Sequence, residues 1–140
     1  MEAKRKEAIY EHYSVKRTIW IAHAYPIVCF GLKTIISSIQ IPCSFKEATS
    51  IDELFLKSKD THMDDHHFYV VDCQILGDGA VLDTVRKLIA LHHVTHFLFL
   101  TNDDSQQFDL LAIPQADCTF ISQHDRDLKE KVKGWVLNRV

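Results

Sequence analysis

The fold is constrained most by a series of short apolar runs that contain hardly any charged residues. Residues 18–22, 68–71 and 95–100 are each of strand length, and residues 118–121 form a shorter run of the same kind. Strands that are apolar throughout, without polar alternation, are typical of a parallel sheet that is covered on both faces. Stretches with helical periodicity lie between these runs. The chain is therefore predicted to alternate β-strands with α-helices.

Turn and capping residues divide the chain into five strand–helix units. Ser50 followed by Glu53 forms a capping-box pattern, residues 42–49 are a weaker strand, residues 77–79 (Gly-Asp-Gly) break the chain, and Asp125 is predicted to open the last helix. The apolar positions of the predicted helices are Ile27, Phe30, Leu32, Ile35, Ile36 and Ile39; Ile51, Leu54 and Leu56; Val81, Leu82, Val85, Leu88, Ile89 and Leu91; Phe108, Leu110 and Leu111; and Leu128, Val132, Trp135, Val136 and Val140. Five such units in one small domain predict a flavodoxin-like α/β three-layer sandwich, with five parallel strands in the order 2-1-3-4-5.

Composition and charge exclude several classes of protein. The chain of 140 residues is 46% apolar and 25% charged, as in a single globular domain and unlike a disordered segment. The net charge is −3 without a basic stripe, so direct binding to nucleic acid is not expected. No apolar run reaches the roughly 18 residues of a membrane span, and the opening residues lack the apolar core of a signal peptide. A cytoplasmic protein without membrane contact is expected.

The cysteines and histidines do not form a recognisable metal site. Cys29, Cys43, Cys73 and Cys118 lie far apart and are predicted to be small buried residues in a reducing compartment. The histidine pairs 66–67 and 92–93 consist of adjacent residues, whose side chains diverge on a strand or helix and offer no i,i+4 chelate. No metal or other cofactor is expected from these residues.

Polar residues follow the predicted strands, at the edge where ligands and chemistry gather in a doubly wound sheet. The strand ends are His23-Ala24-Tyr25, Asp72, Thr101 and Ser122-Gln123. Taken alone, Asp72 is readily explained as a structural residue that caps a neighbouring backbone group. Its place at the tip of the middle strand makes it the main candidate for a functional residue.

These strand ends together resemble the receiver domain of two-component response regulators, the CheY-like fold, and most closely receivers that precede a helix-turn-helix DNA-binding domain. Tyr69-Val70-Val71-Asp72 is similar to the strand that ends in the aspartate phosphorylated in the family. Leu98-Phe99-Leu100-Thr101 is similar to the strand with the hydroxyl switch residue, and Phe120 falls on the aromatic switch position. The resemblance covers residues 18–140 and depends on joint spacing; residues 1–17 form an N-terminal extension outside it.

The same resemblance implies an incomplete, pseudo-receiver type of phosphorylation pocket. The acidic pair of the family falls on His23 and Ala24, and its invariant lysine on Gln123, or on Ser122 if the last strand is aligned one residue earlier. Phosphoryl transfer depends on positioning and charge stabilisation, and Mg²⁺ prefers oxygen ligands. Asp72 is therefore predicted to be a poor phospho-acceptor, with Mg²⁺ binding weak or absent. A protonated His23 would replace part of the missing charge.

The function implied by the resemblance is a phosphorelay signalling module that acts mainly through protein contacts and is not an enzyme. In the family the fourth helix, fifth strand and fifth helix form the output and dimer face, here residues 105–111, 118–121 and 125–139. Related regulators continue into a DNA-binding domain after the last helix, so a role in transcription would depend on such an output domain.

Two alternative functions stay open at this point. One is an active phospho-switch, in which phosphorylated Asp72 draws in Thr101 and repacks Phe120. The other is a small flavodoxin-like enzyme or nucleotide binder, although neither G-x-G-x-x-G nor a Walker motif occurs.

Overall fold

The sheet consists of five parallel strands. The computed structural model describes residues 16–61, 65–76, 81–102 and 116–140. The strands are β1 (Arg17–Ala22), β2 (Ser44–Ala48), β3 (His66–Asp72), β4 (Val94–Thr101) and β5 (Asp117–Ser122). Their spatial order is β2-β1-β3-β4-β5, and every neighbouring pair is parallel. The predicted flavodoxin-like order is confirmed.

Helices cover both faces of this sheet. In the described part of the chain they are α1 (Pro26–Ser37), α2 (Ile51–Lys59), α3 (Val81–Ile89) and α4 (Leu128–Leu137), and a short 3-10 helix, Cys73–Leu76, follows β3. One apolar cluster joins α1 and α4 to the sheet, and a second joins α2 and α3 to the opposite face. The predicted helix at 108–111, the chain break at 77–79 and residues 1–15 of the extension lie outside the described residues. None of the described helices is long and apolar enough to cross a bilayer.

Local hydrogen bonds explain where α2 begins. The Ser50 hydroxyl accepts a hydrogen bond from the Glu53 N–H at 3.2 Å, which satisfies a backbone donor at the helix start. The Glu53 carboxylate in turn accepts from the Thr49 N–H at 3.3 Å and from its hydroxyl at 3.1 Å. The predicted cap by the Ser50 hydroxyl therefore forms. The donors to the Glu53 carboxylate, however, are groups of Thr49 and not the Ser50 N–H that a capping box would use.

The last helix begins later than predicted. Its first residue is Leu128 and its N-cap is Asp127, whereas the sequence suggested Asp125. The Asp125 carboxylate instead accepts a hydrogen bond from the Asp127 N–H at 2.8 Å and pairs with Lys131. An aspartate that bonds the backbone two residues ahead closes a turn, so Asp125 shapes the approach to α4 without entering it.

Four apolar residues that were predicted to line the buried sides of helices are exposed. α1 buries Cys29, Leu32 and Ile36, which leaves Ile27 and Phe30 on the opposite side, 80% and 68% exposed. The remaining two residues are Leu56 and Val140, which are also exposed. Apolar residues occur nearly all the way round α1, so the helical period alone did not identify the stripe that meets the sheet.

A stack of buried aromatic rings packs between β3 and the turn after α3. The His67 and His92 rings lie 3.5 Å apart between centroids, and the Trp20 indole N–H donates to His67 Nδ1 at 3.0 Å. Both nitrogens of the His92 ring are buried and have no hydrogen-bond partner among the residues that the structure describes. Burial, and secondarily the neighbouring His67, lowers the pKa of His92 to about 4. No sequence pattern predicted this pairing between distant histidines.

The four cysteines are free thiols. Cys29 and Cys73 are buried, and Cys43 and Cys118 are half-buried. Burial raises the pKa of Cys73 to about 12 and that of Cys118 to about 11. These two thiols stay protonated at neutral pH, as expected of small packing residues.

Candidate functional site

Four polar side chains meet at the carboxyl edge of the sheet. His23 follows β1, Asp72 ends β3, Asn102 follows β4 and Gln123 follows β5. Because β1 pairs with β3, β3 with β4, and β4 with β5, the parallel strands deliver their ends to one edge. The sequence predicted three members of this cluster. Asn102 was missed, although its position directly after Thr101 could have indicated it.

Asp72 lies at the centre of the cluster and is only 1% exposed. Its Oδ1 accepts hydrogen bonds from Gln123 Nε2 at 2.8 Å and from the Gln74 N–H at 3.1 Å. Its Oδ2 lies 3.4 Å from His23 Nε2 and accepts no hydrogen bond from the described residues. One carboxylate oxygen is thus held firmly, and the other lies beside the imidazole.

His23 is buried next to this carboxylate in an orientation that selects one tautomer. Its Nδ1 accepts a hydrogen bond from the Tyr25 N–H at 3.1 Å, so Nδ1 carries no proton and the ring proton lies on Nε2. Nε2 then faces Gln123 Oε1 at 3.2 Å. In this orientation Nε2 is the ring nitrogen that faces Asp72 and Gln123. The charge that a protonated His23 would add stays a prediction from the sequence.

Gln123 connects the ends of three strands. Its Nε2 donates to Asp72 Oδ1 and, at 2.9 Å, to Asn102 Oδ1, while its backbone N–H donates to the Thr101 carbonyl at 2.7 Å. The side-chain amide therefore uses both of its N–H donors and its carbonyl within the cluster. A neutral group closes the pocket here without adding a net charge.

The other residues singled out from the sequence lie beside this cluster. Ser122, the alternative to Gln123, accepts a hydrogen bond from the His124 N–H in its own loop, and Ala24 is exposed. Thr101 is buried at the end of β4, opposite Ser122 in the sheet register. Phe120 is half-buried on β5, with its ring 5.2 Å from that of Phe99.

These side chains do not fit a magnesium ion. Mg²⁺ takes oxygen ligands in octahedral geometry, whereas Asp72 supplies the single carboxylate of the cluster and its Oδ1 already accepts two hydrogen bonds. An imidazole is a poor ligand for a hard cation, and the nitrogen of His23 that faces Asp72 carries the proton. Across the described residues, no group of three or more His, Cys, Asp or Glu side chains is arranged to hold a metal ion.

Comparisons with known proteins support the fold. No protein-family model and no curated protein sequence matches the chain. Among solved structures, a CheY-like response regulator receiver domain protein from Methanospirillum hungatei JF-1 is similar with a TM-score of 0.62 and 18% identity. The match covers 88% of this chain and 98% of that chain.

Two further structures show the same similarity. The N-terminal domain of a response regulator/sensory box/GGDEF 3-domain protein from Carboxydothermus hydrogenoformans has a TM-score of 0.65 and 11% identity, covering 86% of this chain and 91% of that one. The signal receiver domain of an HD domain-containing protein from Pseudomonas fluorescens Pf-5 has a TM-score of 0.65 and 9% identity, covering 88% and 93%. The chain therefore has the fold found in response regulator receiver domains.

Proposed function

We propose that the protein is a cytoplasmic, receiver-like module of two-component signalling that acts through protein contacts and does not depend on phosphorylation of Asp72. The single observation that carries this proposal is the amide of Gln123, which donates to Asp72 Oδ1 at 2.8 Å. By the family resemblance, that place belongs to a lysine whose charge holds a phosphoryl group. Here an uncharged amide donates a hydrogen bond to the unmodified carboxylate.

The electrostatics of the cluster oppose phosphorylation. A phosphoryl group adds a charge of about −1.5 to −2, and burying such a charge without a compensating cation is strongly unfavourable. Nδ1 of His23 is occupied by the Tyr25 N–H, and Gln123 has no charge to offer. Gln123 holds Asp72 Oδ1, so a phosphoryl group on Oδ2 would be added beside His23. The main stabilisation of the transition state, positive charge around the transferred group, is missing.

Protein contacts would then carry the signal. The described part of the face implied by the resemblance consists of β5 and α4, where Leu137 and Lys129 are exposed. Such a surface suits a partner with an apolar centre and an acidic rim. Regulation of transcription would follow if this face meets an output domain that binds DNA.

Labelling with a small phosphodonor tests the proposal. Wild-type protein incubated with acetyl phosphate and Mg²⁺, or with beryllofluoride and Mg²⁺, is expected to stay unmodified by intact mass and by NMR. The matched variant combines His23→Asp, Ala24→Asp and Gln123→Lys, which restores the acids and the lysine of the family pattern. We expect it to gain a label that Asp72→Asn removes. Stoichiometric modification of wild-type Asp72 with a shift at Thr101 would overturn the proposal and support the phospho-switch.

A further inference from the structure

The side of α1 that points away from the sheet presents large apolar side chains to solvent. Ile27 and Phe30 are 80% and 68% exposed on this side of the helix. Ile27, Phe30 and Thr34 follow one another at spacings of three and four residues, so they lie on one side of the helix. Contiguous exposed apolar residues, unlike scattered ones, mark an interaction surface.

This surface, which we call the α1 outer face, consists of Ile27, Phe30, Gly31, Thr34 and Ser38, and it contains no charged side chain. The one charged residue of α1 is Lys33, whose ammonium group is directed to the Phe45 ring on β2, 5.6 Å from the ring centroid. The face is therefore uncharged, on a chain of which 25% of the residues are charged. A partner that packs against the α1 outer face would therefore bury no charged side chain of this face.

The hydroxyl groups of the α1 outer face are satisfied within the helix. Thr34 Oγ1 donates to the Phe30 carbonyl at 2.9 Å, and Ser38 Oγ donates to the Ile35 carbonyl at 2.6 Å. Neither hydroxyl proton needs a partner from outside the chain. The loss of water from this face would therefore leave no unpaired donor, which removes the usual penalty for burying polar groups.

Gly31 lies in the middle of the α1 outer face. Glycine inside a helix is less favourable than alanine by about 1 kcal/mol, yet a Cβ placed at Gly31 would meet no neighbouring atom within 4 Å. Packing inside the described chain therefore does not require glycine here. The distance between packed helices depends on the side chains at their contact, so Gly31 allows another helix to approach α1 closely.

From this geometry we propose that the α1 outer face packs against the same face of a second copy of the chain, around a two-fold axis. A two-fold contact places the same surface of both copies face to face. Like charges on such a surface would repel each other, whereas an uncharged surface meets no such repulsion. Phe30 and Ile27, 68% and 80% exposed, together offer roughly 250 Å² of apolar surface. A standard interface takes about 800 Å² from each partner, a little over half of it apolar. The α1 outer face therefore supplies about half of the apolar area that one partner needs.

Sedimentation velocity over a concentration series tests this dimer in the full chain. The wild type is expected to pass from monomer to dimer as concentration rises. Phe30→Lys introduces a charge at an exposed position and is expected to weaken dimerisation at least tenfold while leaving the urea unfolding midpoint almost unchanged. Gly31→Leu adds apolar surface but blocks close approach, so it is also expected to weaken the dimer, without a loss of thermal stability.

Leu56→Lys provides a matched control. Leu56 is 67% exposed on α2, so it matches Phe30 in exposure but lies on the other side of the sheet, and this variant is expected to dimerise like the wild type. A wild type that stays monomeric at every concentration would refute the dimer. A dimer that survives Phe30→Lys and Gly31→Leu but is lost in Leu137→Lys would overturn the assignment and move the contact to α4. Acetyl phosphate labelling of Asp72 does not depend on any of these outcomes, so it tests the proposed function separately.

Discussion

Mild acid is expected to destabilise the protein because of one buried histidine. The pKa of His92 falls from its usual value of 6.5 to about 4 in the folded chain, so below pH 6.5 the unfolded chain binds a proton that the folded chain does not. A tenfold change in proton affinity is worth 1.36 kcal/mol. The total loss of unfolding free energy caused by His92 is therefore limited to about 3 kcal/mol, which is reached below pH 4. At pH 5 linkage predicts a loss of about 2 kcal/mol of unfolding free energy, and above pH 7.5 almost none.

The surroundings of His92 explain the direction of this effect. Burial is the larger cause of the lowered pKa and the His67 ring is the second. That ring is stacked 3.5 Å away, and its Nδ1 is already the acceptor for the Trp20 indole N–H. Protonating His92 would place a charge in an apolar cluster where neither ring nitrogen has an acceptor among the described residues.

Urea unfolding at pH 7.5 and pH 5.0 measures the effect, with His92→Phe as the variant that cannot titrate. Phenylalanine keeps a ring in the stack and loses no hydrogen bond, so the variant is expected to be at least as stable as the wild type at pH 7.5. Between the two pH values the wild type is expected to lose about 2 kcal/mol more than the variant. His124→Gln, in the exposed loop after β5, controls for the removal of a histidine. Equal losses in the wild type and in His92→Phe would refute the reasoning.

Three further substitutions test the hydrogen bonds and ion pairs described above, each by urea unfolding. Ser50→Ala removes the cap of α2 and is expected to lower the unfolding free energy by about 1 kcal/mol. Gln123→Ala removes a donor from the buried carboxylate of Asp72 and is expected to lower the unfolding free energy by roughly 2 kcal/mol. The hydrogen bond from Arg139 is the main cause of the lowered pKa of Asp117. The ion pair therefore stabilises the fold at neutral pH, and this stabilisation is lost as the pH falls through the pKa of Asp117. Arg139→Gln is therefore expected to flatten the stability profile between pH 5 and 3, by at most about 1 kcal/mol because Asp117 is one-third exposed.

The order of the sheet could be predicted because the central strands bury both of their faces. Residues 68–71 and 95–100 read as continuous apolar runs, and both fall within central strands that are covered by helices on each side. Such runs predict parallel strands, and parallel strands with helical crossovers allow few orders. The edge strand β2 is mostly exposed, which is why residues 42–49 predicted a strand less clearly.

The burial of individual helix residues could not be predicted in the same way. In α1 the buried stripe of Cys29, Leu32 and Ile36 and the exposed pair Ile27 and Phe30 are equally apolar, so the sequence contains two possible inner faces. The sheet, which lies beside one of them, decides between them. If the second face also packs against a helix, as proposed for the dimer, the all-round apolar character of α1 has one explanation.

The hydrogen bonds of the candidate site were beyond sequence analysis for a different reason. Parallel topology predicted that His23, Asp72 and Gln123 share an edge, and they do. The orientation of His23 at that edge, however, depends on the backbone N–H of Tyr25. Almost every residue has such an N–H, and its direction is set by the turn into α1. This donor makes Nδ1 an acceptor, so Nε2 is the ring nitrogen that faces Asp72 and Gln123. A turn of two residues therefore decides which edge of the imidazole enters the candidate site, and the order of residues along the chain does not reveal that choice.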